Sequence, residues 1–355
     1  MKLKISYFSD RMPFAGNYLE TRGLGGSESC VINLTRNMKE LLPSAEITVY
    51  TGNRNKTEEY NGVIYKGLNQ FYSECRTFDQ DAFISLRSHK PFYLPIIDAQ
   101  IKILHSQDDM NEGGLQELSR SNYAKENIDL FLSVSNYAKY EIEKGFPGKD
   151  VILQRNGYNQ KLACGNILKK DPICFYSSTP FRGLDVLTEL WPYIYAECEK
   201  RGVKPKLWVF TGMALYDWSD DNFKGMYDRL NSMQGVTLFG PVPQHELYKY
   251  LAQTKVMLYP NTFLETSSMA VVEAIACGNW VVTTDLGALN EQVRNGYNGY
   301  TIPGNAQSEE YKNQFIGMAI DALCKDIQLP DCSNLIFSWR EQAEKLLTLI
   351  HNKIN

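Results

Sequence analysis

No CxxC pair occurs among the eight cysteines of this chain, which removes the usual zinc frameworks. Their settings, such as "AIACG" and "PICFY", are apolar. That suits buried thiols in a reducing compartment better than a disulfide frame. An excess of positive charge is lacking too. Lys and Arg number 37 against 41 Asp and Glu, a net charge of −4, so no basic field awaits a nucleic-acid backbone. No apolar run reaches the length of a membrane span, and "MKLKISYFSD" reads as a first strand rather than a signal peptide. No basic amphipathic helix stands out, so peripheral membrane contact is left open rather than indicated. Internal repeats and low-complexity segments are absent from the sequence. The expectation is a soluble, cytoplasmic protein with no nucleic-acid partner.

What is present is alternation. At 355 residues the chain exceeds one ordinary core, and two domains are the natural division. Strand patterns read "LKISYF", "EITVYT", "AFISLR", "IKILH" and "LFLSVS", then "ICFYSS", "KLWVFTG", "VTLFG", "KVMLYP" and "WVVTT". Helical patterns fall between them, at Glu28–Leu42, Tyr137–Lys144, Leu184–Lys200 and His245–Gln253. This predicts an α/β protein with two doubly wound Rossmann-like domains, 1–165 and 166–337.

In such sheets, ligands gather at the carboxyl ends of strands. After the first strand comes "RGLGGSES". Gly25 and Gly26 allow close backbone approach at a helix N-terminus. Glu28 stands where the third glycine of a dinucleotide fingerprint would be, so it suits hydroxyl groups or a helix cap. Arg87 in "SLRS" and His105 in "IKILHSQDD" end two further strands and are candidates for a shared cleft. The acidic pairs at 108–109 and 220–221 read as loop acids. "FDQDAF" holds Asp79 and Asp81 but lies before its strand, at the wrong end for a ligand or metal site. Tyr18, Phe71, Tyr72 and Tyr93 are aromatics that could stack on a bound ring, although most aromatics are core.

The second half opens with "ICFYSSTPFRGLDVL". Ser177, Ser178 and the Arg182 fork would make a phosphate clamp. Farther on, "NTFLETSSMAVVEAIACG" sets Glu265 in a loop, Thr266, Ser267 and Ser268 at a helix N-terminus, and Glu273 in mid-helix. A carboxylate among Val271, Val272, Ala274 and Ile275 is costly without donors. Sugar hydroxyls are suitable donors, and an ion pair with an arginine is the plainer alternative.

The spacing Glu265-x7-Glu273 resembles the retaining GT-B glycosyltransferases, in particular glycosyltransferase family 4. "YSSTPFRGL", "FGPVPQHEL", "VILQRNGYN" and "GLGGSES" support the likeness, in the family's order. The resemblance implies two domains with an interdomain cleft, and a nucleotide-diphosphate sugar donor held mostly by the second. It implies Glu273 on ribose hydroxyls, Glu265 on the transferred sugar, and the amides around Thr266–Ser268 toward the phosphates. Arg182 takes the place of the family's phosphate lysine, while serines replace the upstream arginine. Gly240 and Val242, in "GPVP", match the segment facing the base, and His105 a histidine beside the donor sugar. Glu28 and Arg87 are then acceptor-side candidates, and a C-terminal helix over 338–355 would pack back on the first domain. The implied activity is metal-independent hexosyl transfer, with retention and no cofactor, to a glycan or other hydroxyl acceptor. An epimerase or hydrolase of the same fold, or a sugar-nucleotide-binding subunit without catalysis, are the alternatives.

Overall fold

Parallel strands covered on both faces need nearly continuous apolar sequence, and this chain supplies it. The computed structural model describes residues 3–52, 56–94, 97–111, 113–164 and 171–355. It divides into a first unit, Met1–Tyr18, Gly26–Gly157 and Ser338–Asn355, and a second, Leu19–Gly25 and Tyr158–Phe337. The boundary expected at 165/166 lies outside the described residues, and the units change at Gly157/Tyr158. Leu19–Gly25, expected in the first domain, groups with the second unit.

The first unit contains β1 (Lys4–Ser9), β2 (Glu46–Thr51), β3 (Glu58–Tyr60), β4 (Val63–Lys66), β5 (Gln80–Leu86), β6 (Ala99–Ser106), β7 (Leu130–Ser133) and β8 (Asp150–Leu153). Among the described residues they form one sheet in the order β3-β4-β2-β1-β5-β6-β7-β8. All pairings are parallel except the β3–β4 hairpin. The sequence patterns do not announce β3, β4 or β8. The outermost, β3, keeps no residue buried, so it lacks the apolar run that marks a central strand. Phe8 pairs with Ser85 and Leu86 with His105, which aligns the ends of β1, β5 and β6. Phe71 is no sugar platform. It is completely buried and stacks on Phe83 at 5.7 Å, inside an aromatic core with Phe8 and Tyr50.

Helix Trp339–Ile354 belongs to this unit and packs against helix Gly26–Leu41, burying Trp339, Leu346 and Ile350. A capping box starts it. The Ser338 amide donates to Glu341 Oε2 at 2.6 Å, and the Glu341 amide donates to Ser338 Oγ at 3.2 Å.

The second unit contains β9 (Ile173–Ser177), β10 (Lys206–Phe210), β11 (Val236–Leu238), β12 (Val256–Tyr259), β13 (Trp280–Thr284) and β14 (Gly299–Ile302). Their order is β11-β10-β9-β12-β13-β14, all parallel. Every residue of β12 and β13 is buried. The chain winds outward from β9 in one direction and from β12 in the other. The β9–β12 pair is therefore a topological switch point, where diverging loops leave a crevice at the strand ends. No described helix is long and apolar enough to cross a membrane.

Candidate functional site

Two loops leave the switch point, and each is shaped by a backbone that only glycine fits. Between Ser177 and helix Leu184–Lys200, Gly183 has φ +95°, and a Cβ there would sit 2.0 Å from the Pro260 carbonyl oxygen. The loop after β9 thus lies directly on the loop after β12. Beyond Pro260, the Asn261 side chain accepts from the Phe263 amide at 3.0 Å and donates to the Phe263 carbonyl at 2.5 Å. This turn swings the chain back toward the strand ends. The Glu265 carbonyl then accepts from the Ala288 amide at 2.7 Å, alongside Gly287 at φ +68°.

The two loops bring together residues far apart in sequence. Arg182 Nη1 donates to Glu265 Oε1 at 2.5 Å, and the Tyr259 hydroxyl donates to the same oxygen at 2.6 Å. No hydrogen bond from a described residue reaches Glu265 Oε2, and none engages Arg182 Nε or Nη2. The Ser178 hydroxyl lies 3.5 Å from the Tyr259 hydroxyl. The Arg182 guanidinium carbon sits 4.2 Å from the Phe263 ring centroid and 5.6 Å from that of Phe181. Glu265 is only 3% exposed. Burial pulls the Arg182 pKa down, but the adjacent Glu265 carboxylate more than reverses this, and the net shift is upward. Burial, reinforced by the same carboxylate, pushes the Tyr259 phenol well up, so it stays a donor. The result is a charged pair with unused hydrogen-bonding capacity on both partners.

One turn into the next helix stands the second carboxylate. Helix Met269–Ala276 is capped by Ser268, whose hydroxyl accepts from the Val271 amide at 3.4 Å. The Ser268 amide itself donates to Gln292 Oε1 at 3.0 Å, and Gln292 Nε2 lies 3.5 Å from Ser267 Oγ. Glu273, in the buried face of that helix, has no arginine partner among the described residues. Gln244 Nε2 donates to its Oε1 at 2.9 Å. Tyr248 adds a second hydrogen bond, its oxygen accepting from the Asn159 amide at 3.0 Å and its own proton being left for Glu273. Burial raises the Glu273 pKa to about 7, against the lowering by Gln244 and Tyr248. Gly240, at φ +71°, and Val242 lie in the loop leading to helix Gln244–Leu251.

In the first unit, His105 is the next-to-last residue of β6 and is 1% exposed. Its Nε2 lies 3.3 Å from Gln107 Nε2, and its Nδ1 has no hydrogen-bond partner among the described residues. Burial lowers its pKa to about 4, so the imidazole is neutral at ordinary pH. Glu28 is buried in the first turn of helix Gly26–Leu41. Burial raises its pKa, while its own backbone amide and the nearby Arg87 and Arg11 oppose that rise. Arg87 has φ +57° and closes a two-toothed pair on Asp108, with Nε–Oδ2 at 2.7 Å and Nη2–Oδ1 at 2.6 Å. Asp108 is thus a buried structural carboxylate rather than a loose loop acid. Asp109 is one too, accepting from the Asn111 amide at 2.8 Å and from the Tyr137 hydroxyl at 3.1 Å. Asp220 in the second unit binds the Met213 amide at 2.9 Å and the Tyr227 hydroxyl at 2.7 Å. Asp81 accepts from the Lys4 amide at 2.7 Å and from Gln100 Nε2 at 2.9 Å, holding strand starts together.

Residues 173–325 match the family described as "Glycosyl transferases group 1". A protein of Methanocaldococcus jannaschii, named as the uncharacterized glycosyltransferase MJ1178, is 21% identical over 316 residues, 79% of this chain and 81% of its own. Among solved structures, sucrose-phosphate synthase from Thermosynechococcus elongatus is similar with a TM-score of 0.71 at 13% identity, over 99% of both chains. Anabaena HepE in complex with UDP-glucose gives 0.68 at 15% identity, over 99% of this chain and all of the other. The fold is GT-B. The matched segment lies within the second unit.

Within this GT-B chain, Ser178, Arg182 and Glu265 come together at the switch point, with Glu273 on the helix that follows. Gly25 and Gly26 fall on either side of a division between the units, Gly26 opening its helix. Sequence reading passed over Tyr259, Phe263, Gln244 and Tyr248. Tyr259 is the last residue of a buried strand and looks like core. Gln244 had one usable signal, its place directly after the "GPVP" loop.

Proposed function

We propose that this protein is a retaining hexosyltransferase. It would move a sugar from a UDP- or GDP-linked donor to a glycan or other hydroxyl acceptor, drawing on the cytoplasmic pool and needing no divalent metal. The observation that carries this reading is Glu265, a buried carboxylate neutralised on one oxygen by Arg182 and Tyr259 while its second oxygen keeps accepting capacity. Such a group orients a polyhydroxylated ring, because each hydroxyl brings an O–H to an acceptor-only partner. Arg182 keeps guanidinium N–H groups for a diphosphate and acts on the charge that develops as the phosphate departs. Glu273 suits the ribose hydroxyls, and the neutral His105 suits a sugar hydroxyl in the role the family gives it.

In the reaction, the bond from the anomeric carbon to the diphosphate oxygen breaks. A bond from the same carbon to the acceptor oxygen forms on the same face, and the acceptor proton passes to the departing phosphate. Glu265 positions rather than attacks. Support comes from the group 1 match and from the UDP-glucose complex of HepE, a structure of the same fold. Asp79 and Asp81, tied to Lys4 and Gln100, add to the argument against a metal-binding acidic motif.

The test is a thermal-shift screen against UDP, GDP, ADP and their common sugar conjugates. Selective stabilisation of several degrees by one nucleotide series is expected, since a ligand of the native state raises its stability. A flat response to all of them sinks the donor reading. With the active series identified, the anomeric configuration of the product decides retention, and activity lost to chelator and restored by Mn²⁺ would refute metal independence.

A further inference from the structure

Arg182 is the cation that meets Glu265 at the switch point, and its surroundings include an element the proposed reaction leaves unused. Phe263 lies two residues before Glu265, on the same loop, and is 41% exposed. Its ring lies under the guanidinium at 4.2 Å and meets the Phe181 ring at 6.1 Å, tilted by 68°. Exposed phenylalanines cost hydration, and two of them flanking one arginine need a reason. The cation–π contact supplies it. The guanidinium is flat, so a ring beneath it fixes its plane as well as its position.

We infer that Phe263 is a positioning residue that orients Arg182 so that one guanidinium serves both Glu265 and the donor diphosphate. Nη1 stays on Glu265 while Nε and Nη2 remain for phosphate oxygens. A lysine could not serve both partners in this way, because its three donors diverge from a single point. The inference rests on the donor reading above and adds a residue to it.

The experiment measures calorimetric Kd for whichever of UDP or GDP the wild-type protein binds. It compares Phe263→Ala, Phe263→Trp, Arg182→Ala and the double variant Arg182→Ala with Phe263→Ala. Phe263→Ala is expected to weaken binding about tenfold, and Phe263→Trp to stay within about threefold of wild type, since tryptophan supports the same stacking. In the Arg182→Ala background, removing the ring is expected to change nothing more, because its effect runs through the missing guanidinium. Equal losses from Phe263→Ala in both backgrounds would overturn the inference, as would an unchanged Kd in the single variant. Thermal midpoints of all variants separate misfolding from misplacement, and the rescue by tryptophan excludes a general packing defect. Wild-type protein that binds neither nucleotide would instead remove the donor reading, and this inference with it.

Discussion

Arg87 and Arg182 both follow a strand at the carboxyl end of a parallel sheet, and both meet a carboxylate. They are used in opposite ways. Arg87 spends its fork on both oxygens of Asp108, and its left-handed backbone is held by that closure. Arg182 puts one nitrogen on one oxygen of Glu265 and keeps the rest of the guanidinium open beside an aromatic ring. A saturated ion pair is a strut, whereas a half-used one is a socket. Position at a strand end does not separate the two, and hydrogen-bond accounting does.

The largest expected contrast comes from deleting each arginine. Arg182→Ala should lower turnover by about 10²–10³-fold, as for loss of one charge-stabilising donor, in addition to the stability cost of stranding the buried Glu265 carboxylate. Arg87→Ala should leave nucleotide affinity near wild type and destabilise the protein by about 3 kcal/mol, the cost of stranding a buried carboxylate. Equal effects of the two on turnover would dissolve the contrast. Next is Gly183→Ala. The Cβ would collide with the Pro260 carbonyl, so the two switch-point loops must part. Nucleotide binding should fall by more than tenfold while the far-ultraviolet circular dichroism is retained, and wild-type binding would show that the loops need not touch.

Smaller effects concern pH and run in opposite directions in the two units. The Glu273 pKa is raised to about 7, so its neutral form is favoured in the folded protein. Its contribution to stability is whole below the unfolded carboxyl range and is lost as pH rises through about 7. Ribose hydroxyls favour the ionised form, so donor affinity should tighten as pH climbs from 5.5 to 7.5 and then level off. Glu273→Gln should flatten that profile, and an unchanged slope would assign the titration elsewhere. His105 behaves conversely. Its pKa is lowered to about 4, so its contribution is whole above the ordinary histidine range and is lost as pH falls. His105→Gln should leave the shape of the turnover profile between pH 5.5 and 8 unaltered, and a vanished limb in that range would mean the imidazole does titrate there.

Much of the fold was legible because buried parallel strands leave apolar runs, as "EITVYT" and "WVVTT" do at the limits the structure assigns them. The short β3–β4 hairpin was not legible, since outer strands need no such run. At the site, the spacing of Glu265 and Glu273 was readable because two carboxylates in apolar surroundings demand donors. The identity of those donors was not. Arg182 is 83 residues from Glu265, and only the shared switch point joins them. Glu273 drew a salt bridge as its plain alternative, yet its partners are an amide and a phenol from another helix. Chain distance hides such pairs until the sheet order is known.

Helix Trp339–Ile354, with its capping box, is built into the first unit although the whole second unit precedes it in the chain. During synthesis, the surface of helix Gly26–Leu41 that it covers must wait, with its apolar side chains exposed, until residues beyond 338 leave the ribosome. Residues 158–337 suffer no comparable delay from their own sequence order. Synthesis therefore reverses the order of numbering: the second unit is positioned to mature first, and the first unit is the one exposed to chaperones and to early misassociation.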